Sequence, residues 1–170
     1  MEEKYFPIKN VFKTVGFGHH KAIYALVDSG VLPLSAKACE KGVGQRRVVN
    51  FRDYLLICLS YVMLRMDFDH DDLRKIFSCT GVIDYIDRKI KSGTKKKMYL
   101  AYLSLGIEEK DYIKMKKREA YKWLKYHGRL CFVVNINKFK KLVSDELFDS
   151  YVFVDVGKLL DQIQARFKTL

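Results

Sequence analysis

No apolar run in the chain approaches the roughly 20 residues that a helix needs to cross a bilayer. The first ten residues carry charges where a secretory leader would carry an apolar stretch. The expectation is a soluble, unexported, cytoplasmic protein with no membrane partner. Cys39, Cys58, Cys79 and Cys131 form no Cys-x-x-Cys pair and follow neither zinc-ligand nor disulfide-framework spacing. They read as reduced thiols. Cys58 lies inside Leu55-Leu56-Ile57-Cys58-Leu59 and Cys131 beside Phe132-Val133-Val134, where a thiol behaves as a small hydrophobe. A phosphate-loop glycine pattern, a nucleophile elbow and a His-Glu-x-x-His motif are all missing. Asp67-Phe68-Asp69-His70-Asp71-Asp72 holds metal-capable groups, but a crowded helix N-terminus accounts for its acidity without a metal. The reading is therefore a non-enzyme with no cofactor and no metal.

What the chain does have is core-forming material and positive charge. At 170 residues, 49% apolar and 14% aromatic, it can bury a sizeable core as one compact domain or two small ones. Its formal net charge of +12 favours a polyanionic partner, because Lys and Arg that neutralise phosphates release condensed counterions. The excess is uneven. Met1 to Ser78 holds 12 basic and 9 acidic residues, whereas Ile86 to Arg129 holds 14 basic and 5 acidic ones.

Val11 to Ser29 reads as two short helices around Gly16-Phe17-Gly18, with Ile23, Leu26 and Val27 at helical spacing. Gly30-Val31-Leu32-Pro33 ends the second helix, since Gly accepts a left-handed cap and Pro cannot continue the ladder. Ser35 to Val49, with Lys37, Lys41, Arg46, Arg47, Gly42 and Gly44, suits a basic hairpin. Asn50 caps the next helix, with Asp53 three residues on, and Tyr54 to Leu64 is apolar on nearly every face, as befits a central helix. Asp69 and Asp72 repeat the start signal before Leu73, Ile76 and Phe77, and this fourth helix should end near Cys79-Thr80-Gly81.

Beyond Gly81 the texture changes. Met98 to Leu105 reads as a strand, and Glu109 to Tyr126 is basic and mixed. Phe132-Val133-Val134-Asn135-Ile136-Asn137-Lys138-Phe139 lines up with Val152-Phe153-Val154-Asp155-Val156-Gly157-Lys158-Leu159, and each copy reads as strand, polar turn, helix. Leu142 and Val143 follow the first copy, and Leu160, Ile163 and Phe167 follow the second on one helical face. The fold class expected is α+β: an N-terminal winged helix-turn-helix over residues 1–80, then a small mixed α/β unit with a strand-helix repeat over 81–170.

The order of elements in the first 78 residues resembles the DNA-binding domain of the MerR family of transcription regulators. Gly44-Gln45-Arg46-Arg47-Val48-Val49-Asn50-Phe51-Arg52-Asp53-Tyr54-Leu55 is similar to that family's wing and third-helix start, and Asp28-Ser29-Gly30-Val31-Leu32-Pro33 to its junction between recognition helix and wing. Met63-Leu64-Arg65 and Asp72-Leu73-Arg74-Lys75-Ile76 resemble the turn into its fourth helix. Lys21-Ala22-Ile23-Tyr24-Ala25 stands where the family usually has a Thr-Leu-Arg-aromatic run, and no long heptad helix follows Phe77. The resemblance implies a sequence-specific regulator associated with the nucleoid, binding double-stranded DNA as a homodimer on a pseudo-palindromic operator. The C-terminal unit would pair protomers or meet an effector ligand or protein partner. The alternative is a nucleic-acid-binding module without sequence specificity, or a protein-interaction or architectural module on a retained winged helix.

In a helix-turn-helix the second helix enters the major groove, which nominates His19, His20, Lys21 and Tyr24 for bases or phosphates. Arg46 and Arg47 end the expected wing, where strand alternation sends one to each face. Arg52, in the first turn of the next helix, is a candidate for phosphate together with free N–H groups there, or for an ion pair with Asp53 or Glu40. Lys95, Lys96, Lys97, Lys116, Lys117 and Arg118 are candidate auxiliary phosphate contacts, with Tyr112, Tyr121, Trp123 and Tyr126 available to stack on bases or to line a core.

Overall fold

In the computed structural model, the residues described are 4–15, 20–40, 47–66, 68–79, 81–94, 97–105, 129–134 and 148–169. The fold over these residues is mixed α+β and mostly helical, with two small antiparallel sheets. Internal packing divides the chain into two units: residues 1–95 with 158–170, and residues 96–157. This differs from a division after residue 80, because helices on both sides of the second unit belong to the first.

The first unit begins with strand β1 (Tyr5–Pro7) and helices α1 (Lys9–Val15) and α2 (His20–Asp28). Helix α2 buries Ile23, Leu26 and Val27, the i, i+3, i+4 set that its sequence spacing defines. It stops where Gly30 takes a φ of 67°, a left-handed conformation that a side chain would resist. The Ser29 hydroxyl donates to the Leu26 carbonyl and accepts from the Val31 N–H, tidying that end.

Between Ser35 and Val49, where a basic hairpin is expected, the described residues form a single helical turn, α3 (Ala36–Cys39), and the start of strand β2 (Val48–Asn50). Strand β2 pairs antiparallel with β1, Phe6 opposite Val49. Residues 41–46 of that stretch lie outside the described residues.

Helix α4 (Phe51–Leu64) is the core of the unit, buried from Asp53 through Tyr61 and again at Met63. The Asn50 side chain accepts from the Asp53 N–H at 2.8 Å, which is the cap its sequence suggests. The Asp53 carboxylate takes the N–H and O–H of Ser35 at 3.0 and 2.5 Å, so it ties the start of α3 to α4. Helix α5 (His70–Cys79) opens on a reciprocal capping box in which Asp69 and Asp72 each accept the other's N–H. Buried Phe68 and Leu73 stand at the positions of a hydrophobic staple around it. Helix α6 (Val82–Ser92) follows at once between Gly81 and Gly93, both at positive φ, and buries Val82, Tyr85, Ile86 and Lys89. No helix was expected there.

The second unit contains β3 (Tyr99–Leu105), β4 (Arg129–Val134) and β5 (Phe148–Asp155) in the order β4-β3-β5, all neighbours antiparallel. The strand read over Met98–Leu105 is β3. Leu100 pairs with Val133 on one side and Val154 on the other, and Ala101 with Phe132 and Phe153. The strand segments of the two repeat copies thus flank β3, but Val133 and Phe153, aligned in sequence, sit one register position apart; the turn and helix expected after the first copy's strand, including Leu142 and Val143, lie outside the described residues. In the second copy strand passes directly into helix α7 (Val156–Lys168) with no intervening turn. Helix α7 returns the chain to the first unit, where Phe167 lies among Phe6, Phe51 and Tyr54 at centroid distances of 4.9, 5.1 and 4.7 Å. Among the described residues no helix is long and apolar enough to cross a membrane.

Candidate nucleic-acid interface

With its apolar side packed on α4, helix α2 presents His20, Lys21 and Tyr24 outward. Lys21 is exposed, and Tyr24 is 38% exposed, a large value for an aromatic ring. These side chains do not stand alone. Phe12 of α1, itself buried, stacks on His20 at 4.3 Å with an interplanar angle of 16°, and meets Tyr24 edge-on at 5.5 Å. Phe12 is therefore the platform that fixes the orientation of His20 and Tyr24. It escaped the sequence reading because its partners lie on another helix; the only local signal was an aromatic at apolar spacing in α1.

Arg47 extends the row. Its guanidinium lies 5.6 Å from the Tyr24 ring centre, and one Nη donates to Asp28 at 2.6 Å. Its side chain is only 10% exposed, and the other Nη is buried with no hydrogen-bond partner among the described residues. The Arg47 carbonyl accepts the Ile8 N–H, so the same residue fastens the chain beside β1. Arg47 locks the end of α2 to the strand pair, and Asp28, which sequence reading did not nominate, is its counter-charge.

Arg52 is likewise engaged within the fold. Its Nε pairs with Asp87 of α6 at 2.7 Å and its Nη1 donates to the Pro33 carbonyl at 2.8 Å. The counter-charge is neither Asp53 nor Glu40: Asp53 is occupied by Ser35, and α6 brings Asp87 to the start of α4. Arg52 thus joins three segments, a role for which geometry leaves its guanidinium half-buried.

Of the other nominated residues, Lys97 is exposed within the second unit. His19, Arg46, Lys95, Lys96, Lys116, Lys117 and Arg118 lie outside the described residues, as do Tyr112, Tyr121, Trp123 and Tyr126. Among the described residues no cluster of His, Cys, Asp or Glu could hold a metal ion. Compared with known proteins, the sequence matches no family model and no curated protein.

Proposed function

We propose that the chain is a sequence-specific DNA-binding transcription regulator that lays α2 into the major groove and acts as a homodimer on a pseudo-palindromic operator. The observation that carries this reading is the outward row His20, Lys21 and Tyr24, with His20 and Tyr24 held on Phe12, at the start of a helix whose other side packs on α4. The first residues of a recognition helix are the ones that meet base edges. Lys21 supplies a phosphate or base donor, while the ordered His20 and Tyr24 lose little rotamer freedom on binding. The order of α1, α2, β2 and α4, with β1 beside β2, supports the winged helix-turn-helix of MerR-like regulators. Arg47 and Arg52 serve in this reading as the frame of the interface; Lys21 is its free cation among the residues of the row.

Selection from a random DNA pool tests the proposal. An enriched inverted repeat is expected. Uniform, salt-sensitive binding would instead favour a module without sequence reading, and absence of binding a protein-interaction role. Lys21→Ala should lower the magnitude of the slope of log K against log salt by about 0.9, the share of one phosphate contact.

A further inference from the structure

The last turn of α1 is held from two sides. Thr14, buried at that turn, shares a hydrogen bond with the Tyr54 hydroxyl of α4, and its own hydroxyl reaches back to the Asn10 carbonyl. Its main-chain carbonyl, one of those a helix end leaves without an intrahelical partner, accepts from Nη1 of Arg166 at 3.0 Å. Arg166 is 152 residues away in sequence and is carried there by α7. A cation at a helix C-terminus also meets the negative end of the helix dipole.

Helix α7 is fixed in this position independently of Arg166. One turn and more earlier, Asp161 pairs at 2.8 Å with the buried Lys89 of α6, and the next residue, Phe167, enters the aromatic cluster. The contact with Thr14 is therefore aimed at α1 by a braced helix. Phe12, the platform under His20 and Tyr24, lies two residues before Thr14, and α2 begins six residues after it. Whatever holds the last turn of α1 holds both the platform and the point from which the chain enters α2.

We propose that Arg166 is a positioning residue for the DNA-facing helix pair, its guanidinium holding the Thr14 carbonyl so that α1 and α2 keep the relative placement that binding requires. The proposal rests on the DNA-binding reading above for the importance of that placement, though not for the contact itself. It also assigns to the C-terminal helix a part in the N-terminal interface, where its register decides how that interface is presented.

Arg166→Ala, Arg166→Lys and Asp161→Ala in the 170-residue chain decide the matter, read by affinity for the enriched sequence and by deuterium exchange of the α2 amides without DNA. Arg166→Ala should weaken binding about tenfold and speed α2 exchange by a similar factor. Arg166→Lys, which can still donate to the carbonyl, should restore most of both. Asp161→Ala removes the ion pair in the middle of α7 while Phe167 still holds the end that carries Arg166; it should lower the melting temperature while leaving affinity and α2 exchange within about twofold. Unchanged α2 exchange in Arg166→Ala, or equal effects in Asp161→Ala, overturns the proposal, since a merely stabilising contact would behave that way. Should the wild-type chain enrich no DNA, the functional reading fails by itself, and the exchange comparison still decides whether Arg166 holds the pair.

Discussion

Tyr54 and Cys58, one turn apart on α4, are the residues whose acid–base chemistry the fold alters most among the described residues. Burial pushes the Cys58 thiol up from its ordinary 9.0 to about 12, with Tyr54 and Arg166 pulling the other way. Burial raises the Tyr54 hydroxyl too, reinforced by Cys58 and opposed by the bond from Thr14. Both groups keep their protons in the folded state at pH values where the unfolded chain has lost them. The Cys58 contribution declines as pH rises from 9 toward 12, and that of Tyr54 only above its ordinary 10.0, because there the unfolded state binds fewer protons than the folded one. Urea titrations between pH 8 and 11 should show this decline, and Cys58→Ala should make it shallower; an unchanged slope would remove Cys58 from the account. At neutral pH an alkylating reagent should modify exposed Cys39 and spare Cys58 until the protein unfolds, as peptide mapping would show. Asp53 is a third sensitive residue. Asp53→Ala leaves the Ser35 N–H and hydroxyl without the carboxylate they meet, and should cost about 2–3 kcal/mol in chemical denaturation, with Asp53→Asn recovering part.

At the scale of elements, the contact between Arg47 and Asp28 joins α2 to the strand pair. Removing Asp28 leaves a guanidinium that is largely buried with less compensation, so Asp28→Ala should cost more than the removal of a surface pair. Since the Asp28 side chain is 36% exposed, water offsets part of the loss, and about 1–3 kcal/mol is expected. In a double-mutant cycle, Arg47→Met combined with Asp28→Ala should lose less than the sum of the two; strict additivity would mean that the pair does not couple. The same pair marks the limit of what sequence can reveal. Helices α1, α2, α4 and α5 were legible because apolar spacing and caps such as Asn50 and Asp69 are local signals. Strand β2 was not, since its partner β1 lies more than 40 residues away, and the glycines and cations between Ser35 and Val49 suggested a local hairpin. Helix α6 carries Val82, Tyr85, Ile86 and Lys89 at helical spacing, but the intervening charges and a lysine on the buried face obscured it. The exposed row on α2 could be nominated from one helix; Phe12 beneath it and Asp28 opposite Arg47 are tertiary facts.

For the whole molecule, the chain order matters more than either end alone. The first unit is closed by residues 158–170, so the 96–157 unit is an insertion between α6 and the body of α7. Helix α7 supplies the unit with buried Leu160 and Ile163, with Phe167, and with the contacts from Arg166 and Asp161. Truncating one buried aliphatic residue to Ala typically costs about 2–5 kcal/mol, so losing the helix takes away much or all of the roughly 5–15 kcal/mol that keeps a domain folded. A fragment of residues 1–95 should therefore show no cooperative thermal transition by circular dichroism, although it contains every element of the proposed DNA-binding face. Joining residues 158–170 to residue 95 through a long flexible linker should restore a cooperative melt, because the helix then returns at high effective concentration without the inserted unit. A cooperative melt of 1–95 alone would make α7 an accessory to the unit. Restoration by the linked helix would show instead that the fold beneath the proposed DNA-binding face needs residues 158–170 as well as residues 1–95.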